Sequence, residues 1–170
     1  VKHFVRYVII AAAIIIVDTI TKAFVATTLP VISSSANVYP YGGLAVFKDF
    51  FGVAFSINHS TNTGAAWGMF GGYQYPLVIV RSLAIVAMVW YVFFYRKERA
   101  WYLPFSLVIA GAFGNVVDFF VYGHVIDMFY FKFWGYSYPI FNIADSAICI
   151  GAALLAATLW WQNRGKGKTV

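Results

Sequence analysis

Four stretches of this chain, about Phe4 to Thr27, Pro76 to Tyr95, Trp101 to Tyr122 and Phe141 to Trp161, stay apolar long enough to cross a bilayer as helices. A spanning helix needs roughly 20 mainly apolar residues. It is favoured there because each backbone N–H and C=O in lipid has to be satisfied within its own segment. A buried helix of a soluble domain keeps a polar outer face, and these segments have almost none. Of the 170 residues 62% are hydrophobic and only 11% charged, which argues against a soluble fold. The expected architecture is an all-α polytopic membrane protein, four transmembrane helices with a small extracytoplasmic β-containing segment and an interfacial loop, forming one membrane-embedded domain over residues 1–170.

Charge sets the expected orientation. Basic residues gather at the N-terminus (Lys2, Arg6), between spans two and three (Arg96, Lys97, Arg99) and in the C-terminal tail (Arg164, Lys166, Lys168). With four spans all three places fall on one side, so the positive-inside rule puts both termini in the cytoplasm. The net charge of +6 then reads as topology plus contact with anionic membrane lipids, which leaves no basic face for nucleic acid. The first span has the basic start and apolar run of a signal peptide, but Asp18, Thr19, Thr21 and Lys22 inside the same helix argue against cleavage.

The outer material falls into two stretches. Residues 29–75 carry turn residues at Pro30, Ser33-Ser-Ser35, Pro40 and Gly42-Gly43, and partial alternation over Phe47 to Thr61 predicts one or two short strands. Gly123 to Pro139 holds Tyr130, Phe131, Phe133, Trp134, Tyr136 and Tyr138, a density that suits an interfacial loop at the headgroups. The Arg96–Arg99 loop is short and predicts a tight hairpin of spans two and three. The single cysteine, Cys149, reads as a small buried hydrophobe.

Polar residues in or beside the spans are costly and point to function. Asp18 and Lys22, four apart, share a helical face and can pair, either to pin the first helix or to meet a substrate. Asn115 and Asp118 in span three, and Asn142 and Asp145 at the start of span four, are each three apart and each project from one face. Asn142 is also suited to cap span four, with Asp145 favoured by the helix dipole. Capping leaves Asp118, near the disfavouring end of its helix, without an account. Asp127, between Val125-Ile126 and Met128-Phe129, is either a loop surface residue or a functional carboxylate. His124 beside it is either structural or a proton relay. Two carboxylates that meet can share a proton and activate water, as Asp127 and Asp145 would.

Other chemistries lack their patterns. The chain has no G-x-S-x-G, no H-E-x-x-H, no nucleotide-binding glycine loop, and only the scattered His3, His59 and His124 toward a metal site. A proton-coupled transporter using the same carboxylates is the alternative. It needs a polar path across the whole membrane, and the inner halves of spans two and four are nearly all apolar.

Five stretches, in order, resemble the lipoprotein signal peptidase (signal peptidase II) family: Asp18-Thr-Ile-Thr-Lys22, Asn62-Thr-Gly-Ala-Ala-Trp-Gly68, Gly111-Ala-Phe-Gly-Asn-Val-Val-Asp118, Gly123-His-Val-Ile-Asp127 and Phe141-Asn-Ile-Ala-Asp-Ser-Ala-Ile148. The resemblance implies an aspartic endopeptidase of the bacterial inner membrane, with its active site toward the outer face. It implies a catalytic pair of Asp127 and Asp145, surrounded by Asn62, Gly64, Asn115, Asp118 and Asn142. The implied reaction removes signal peptides from diacylglyceryl-modified prolipoproteins just before the lipidated cysteine. No metal or other cofactor is implied, and a monomer is expected. The chain departs from the family at Phe119, where arginine usually follows the span-three aspartate; Lys132 is a candidate substitute donor. Trp67 replaces a usual phenylalanine.

Overall fold

The computed structural model describes residues 2–32, 38–64, 69, 72–96 and 98–166; the turn at Ser33-Ser-Ser35 and the position of Trp67 lie outside these. Among the described residues four helices are long and apolar enough to cross a membrane. They are α1 (Lys2–Thr28), α2 (Gln74–Tyr95), α3 (Tyr102–Tyr122) and α4 (Ile143–Lys166). The expected spans therefore coincide with helices to within a few residues at most ends. A single 3-10 turn, Arg99–Trp101, closes the hairpin between α2 and α3. Arg96 stacks over Trp101 at 4.3 Å there, a cation–π contact that tightens the turn.

The expected β-containing segment is present and larger than one hairpin. A four-stranded antiparallel sheet runs in the order β1 (Leu44–Phe50), β2 (Val53–Asn62), β3 (Val125–Phe133), β4 (Tyr136–Ser137). The one or two strands expected over Phe47 to Thr61 are present as two, β1 and β2. The stretch Gly123 to Pro139, expected as an interfacial loop, is largely β3 and β4 instead. Its aromatics pair with a strand far away in sequence: Phe131 lies opposite Phe55, with rings stacked 4.2 Å apart. Cross-strand aromatic pairs of this kind stabilise a sheet.

Connectivity gathers the sheet, the C-terminal ends of α1 and α3 and the N-terminal ends of α2 and α4 at one end of the helical bundle. The other end carries the N-terminal end of α1, the C-terminal end of α4 and the α2–α3 turn. Gly123 ends α3 in the left-handed region, at φ 77°, and its N–H bonds Phe119 O. This C-cap turns the chain straight into β3. Ile126 and Met128 project from one face of β3 into a cluster with Val25 of α1 and Leu29 just beyond its end. By strand alternation Asp127 projects from the other face.

The helices beneath the sheet pack closely. Gly114 of α3 faces α1 and α4 so tightly that a methyl group there would come within 2.8 Å of Asp18 Oδ2, and one at Gly111 would strike the Ala144 carbonyl. Small residues permit such approach where lipid supplies no hydrophobic drive between helices. Polar groups on three helices can therefore reach one another.

Candidate active site

Asp127 is held by amides. Asn142 Nδ2 donates to its Oδ1 at 2.8 Å, and Asn62 Nδ2 donates to its Oδ2 at 3.1 Å. Ser60 lies opposite Asp127 in the β2–β3 ladder, just past a bulge between Ile57 and Ser60. Such irregularities re-aim side chains beside functional sites, and this one brings Asn62 into reach. Asn62 Oδ1 also accepts the Gly64 N–H at 2.9 Å, so the asparagine organises the following turn.

Asp145 is set by the first turn of α4. Its N–H donates to Asn142 Oδ1 at 2.8 Å, and its Oδ2 accepts the Asn142 N–H at 3.3 Å. The arrangement is a reciprocal capping box made from Asn and Asp. Phe141, expected inside the helix, instead pairs with Phe129 of β3 as an isolated bridge. That bridge fixes Asn142 next to Asp127. Asn115 Nδ2 completes the arrangement by donating to Asp145 Oδ1 at 2.8 Å.

A second group of charges lies below. Lys22, fully buried, contacts Asp18 Oδ2 and Asp118 Oδ2, each at 2.7 Å, and donates to Asn115 Oδ1 at 3.1 Å. These use the three donors of an ammonium group. Asp18 also accepts the Ala144 N–H at 2.9 Å, and Asp118 accepts the Ile126 N–H at 3.2 Å. The expected Asp18–Lys22 pair is thus present as part of a triad with Asp118. This gives Asp118 a partner that one helix's pattern cannot reveal. Asn115 links the triad to Asp145.

Asp127 and Asp145 line one cavity of about 280 Å³, with Asn62, Arg81 and Asn115 on its polar side. Burial, and then the nearby charge of Asp145, push the Asp127 carboxyl up to about 7, against the hydrogen bonds that favour its ionised form. An acid in this position holds a proton near neutral pH. Among the described residues no cluster of three or more metal-ligand side chains occurs. His124 borders a neighbouring small cavity, and burial followed by the proximity of His59 lowers its basicity.

Two expectations fail. Lys132 lies opposite Ala54 and Ser137 in the sheet and lines neither cavity beside Asp127. Cys149 is exposed rather than buried, one turn beyond Asp145 on the cavity wall. One residue was missed altogether. Arg81 of α2 lines the cavity and donates to Gly64 O at 3.1 Å. Its sequence signal was a lone cation inside an apolar span.

The family model for signal peptidase (SPase) II matches residues 10–161. The chain belongs to the signal peptidase II family. It is thus related to membrane peptidases. Lipoprotein signal peptidases of several Staphylococcus aureus strains, including Newman and N315, are 33% identical to it over 97% of this chain and 94% of theirs. A solved bacterial membrane enzyme superposes with TM-score 0.79 at 29% identity, covering 97% of this chain and 93% of that one. A second does so at 0.72 and 30%, covering 91% and 92%.

Proposed function

We propose that this signal peptidase II family member is an aspartic endopeptidase with Asp127 and Asp145 as its catalytic pair. Its substrate would be a diacylglyceryl-modified prolipoprotein, cut just before the lipidated cysteine. The observation that carries the reading is the shared cavity: two carboxylates face it, each held by side-chain amides. Two acids at such a site share a proton, because both cannot ionise easily.

The ionised carboxylate takes a proton from water, and the resulting hydroxide adds to the scissile carbonyl carbon. The protonated partner gives its proton to the carbonyl oxygen, forming a gem-diol. The proton gained from water then passes to the leaving nitrogen as the C–N bond breaks, and one gem-diol hydroxyl returns its proton to the other carboxylate as the carbonyl re-forms. The pair ends with one proton between its members, as it began. Titration belongs to the pair, so neither aspartate alone is designated the base. Asn62, Asn115 and Asn142 orient the carboxylates, Gly64 shapes the turn beside them, and the Asp18–Lys22–Asp118 triad holds the floor.

With both termini cytoplasmic, the sheet end of the bundle faces outward and the site opens at the outer face of the bacterial inner membrane. The substrate's acyl chains stay in lipid while its peptide crosses the cavity. The protein acts as a monomer surrounded by membrane lipids. The test is incubation of purified protein with a lipidated prolipoprotein. A product beginning at the lipidated cysteine is expected, and intact substrate after prolonged incubation would overturn the reading.

A further inference from the structure

An extended peptide crossing the cavity brings its backbone carbonyls among Val125, Pro139, Ile140, Phe141 and Ile148. A buried carbonyl left without a donor bears the full cost of its lost hydration. The cavity therefore has to supply N–H or O–H groups, and several of its polar side chains are already engaged. Asn62 gives its amide to Asp127 and Asn115 gives its amide to Asp145. Ionised carboxylates only accept.

Arg81 is the cation on this wall. A guanidinium has five N–H donors in a rigid planar fork, and Nη2 reaches Gly64 O at 3.1 Å. Neither ion pair among the described residues includes Arg81. It borders both the cavity of the two aspartates and the small cavity it shares with Asn62, Gly64, Phe119 and His124. Holding the Gly64 carbonyl needs only a neutral donor, whereas a permanent charge within an apolar span is costly. The fork's remaining donors give that charge a use.

We propose that Arg81 is a substrate-binding residue, donating hydrogen bonds from the α2 wall to peptide carbonyls beside the scissile bond. The contact with Gly64 fixes the guanidinium in place for this. The proposal rests on the peptidase reading above. Phe119 gives it an internal check: its ring meets Tyr75 at 5.4 Å on the border of the small cavity, so an arginine at 119 would enter the space beside Arg81.

Binding of an intact lipidated prolipoprotein peptide is measured on the Asp127→Asn protein, which removes turnover. Adding Arg81→Gln is expected to weaken binding about tenfold, and Arg81→Lys by less. In the active enzyme Arg81→Gln raises KM by a similar factor with kcat much less affected, and Phe119→Arg in that background recovers most of the loss. Unchanged binding with Arg81→Gln overturns the proposal. So does a loss, with lowered Tm, that Phe119→Arg fails to recover, since Arg81 would then be a clamp on the Gly64 turn. Failure of the wild-type protein to cleave a peptide it binds overturns the peptidase reading instead, while the binding comparison still tests Arg81.

Discussion

Four aspartates lie close together near one end of the bundle, and they are kept in two different ways. Asp18 and Asp118 share one buried cation, Lys22, at 2.7 Å each. Asp127 and Asp145 have no ion pair among the described residues and are held by asparagine amides. A buried cation balances the charge of its carboxylates and ties them into the fold, whereas amides orient a carboxylate without supplying a counter-charge. The same residue type thus serves structure in one layer and, on the reading above, chemistry in the next. Asn115 touches both layers and is the seam between them.

The strongest way to break this contrast is to neutralise the amide-held pair. Asp127→Asn and Asp145→Asn should each lower cleavage by roughly 100-fold to 10,000-fold while Tm stays near wild type. Turnover surviving in either purified variant would remove the two-aspartate mechanism.

The cation-held layer should respond in the opposite sense. Lys22→Met leaves two buried carboxylates uncompensated, at about 3–5 kcal/mol, which should lower Tm by roughly 10 °C. A simple Asp18–Lys22 pair would be relieved by replacing both residues. A triad is not, because Asp118 stays behind, so Asp18→Leu with Lys22→Met should remain unstable until Asp118→Asn is added. Thermal unfolding in detergent of the single, double and triple variants checks this order.

The effect of pH sharpens the comparison. With the Asp127 carboxyl pushed up to about 7, the pair loses its proton as pH rises through neutrality, and kcat should fall on the alkaline side. Asn62 stabilises the ionised form, so Asn62→Ala should raise that proton affinity and move the alkaline limb to higher pH. A limb that moves downward, or stays put with turnover intact, would contradict the role given to the amide. The smallest effect is expected at Lys132, which lies away from both layers. Lys132→Ala should leave KM within about twofold of wild type on a lipidated peptide.

The spans were legible because an apolar run of that length has few other uses, and the helices start and stop close to where the sequence indicates. The Asn142-x-x-Asp145 cap was legible because its spacing is local. Strand β3 was not: its aromatics face neighbours on both sides, so no clean alternation survives, and the pairing with β2 joins residues about 70 positions apart. Asp118 looked misplaced for the same reason, since its partner belongs to another helix. Arg81 could have been found, as a charge embedded in an apolar span marks itself. Its position beside Gly64, however, depends on how α2 packs.

Lys22 also bears on how the molecule is assembled. Asp18 and Lys22 lie one turn apart, so α1 can enter lipid with those two charges already offsetting each other. Asp118 has no such partner on its own helix; its counter-ion is reached only when α3 docks against α1. The last span arrives to a waiting acceptor, because Asp18 takes the Ala144 N–H at the start of α4. A chain lacking its first span would thus leave Asp118 without its counter-ion in the bundle.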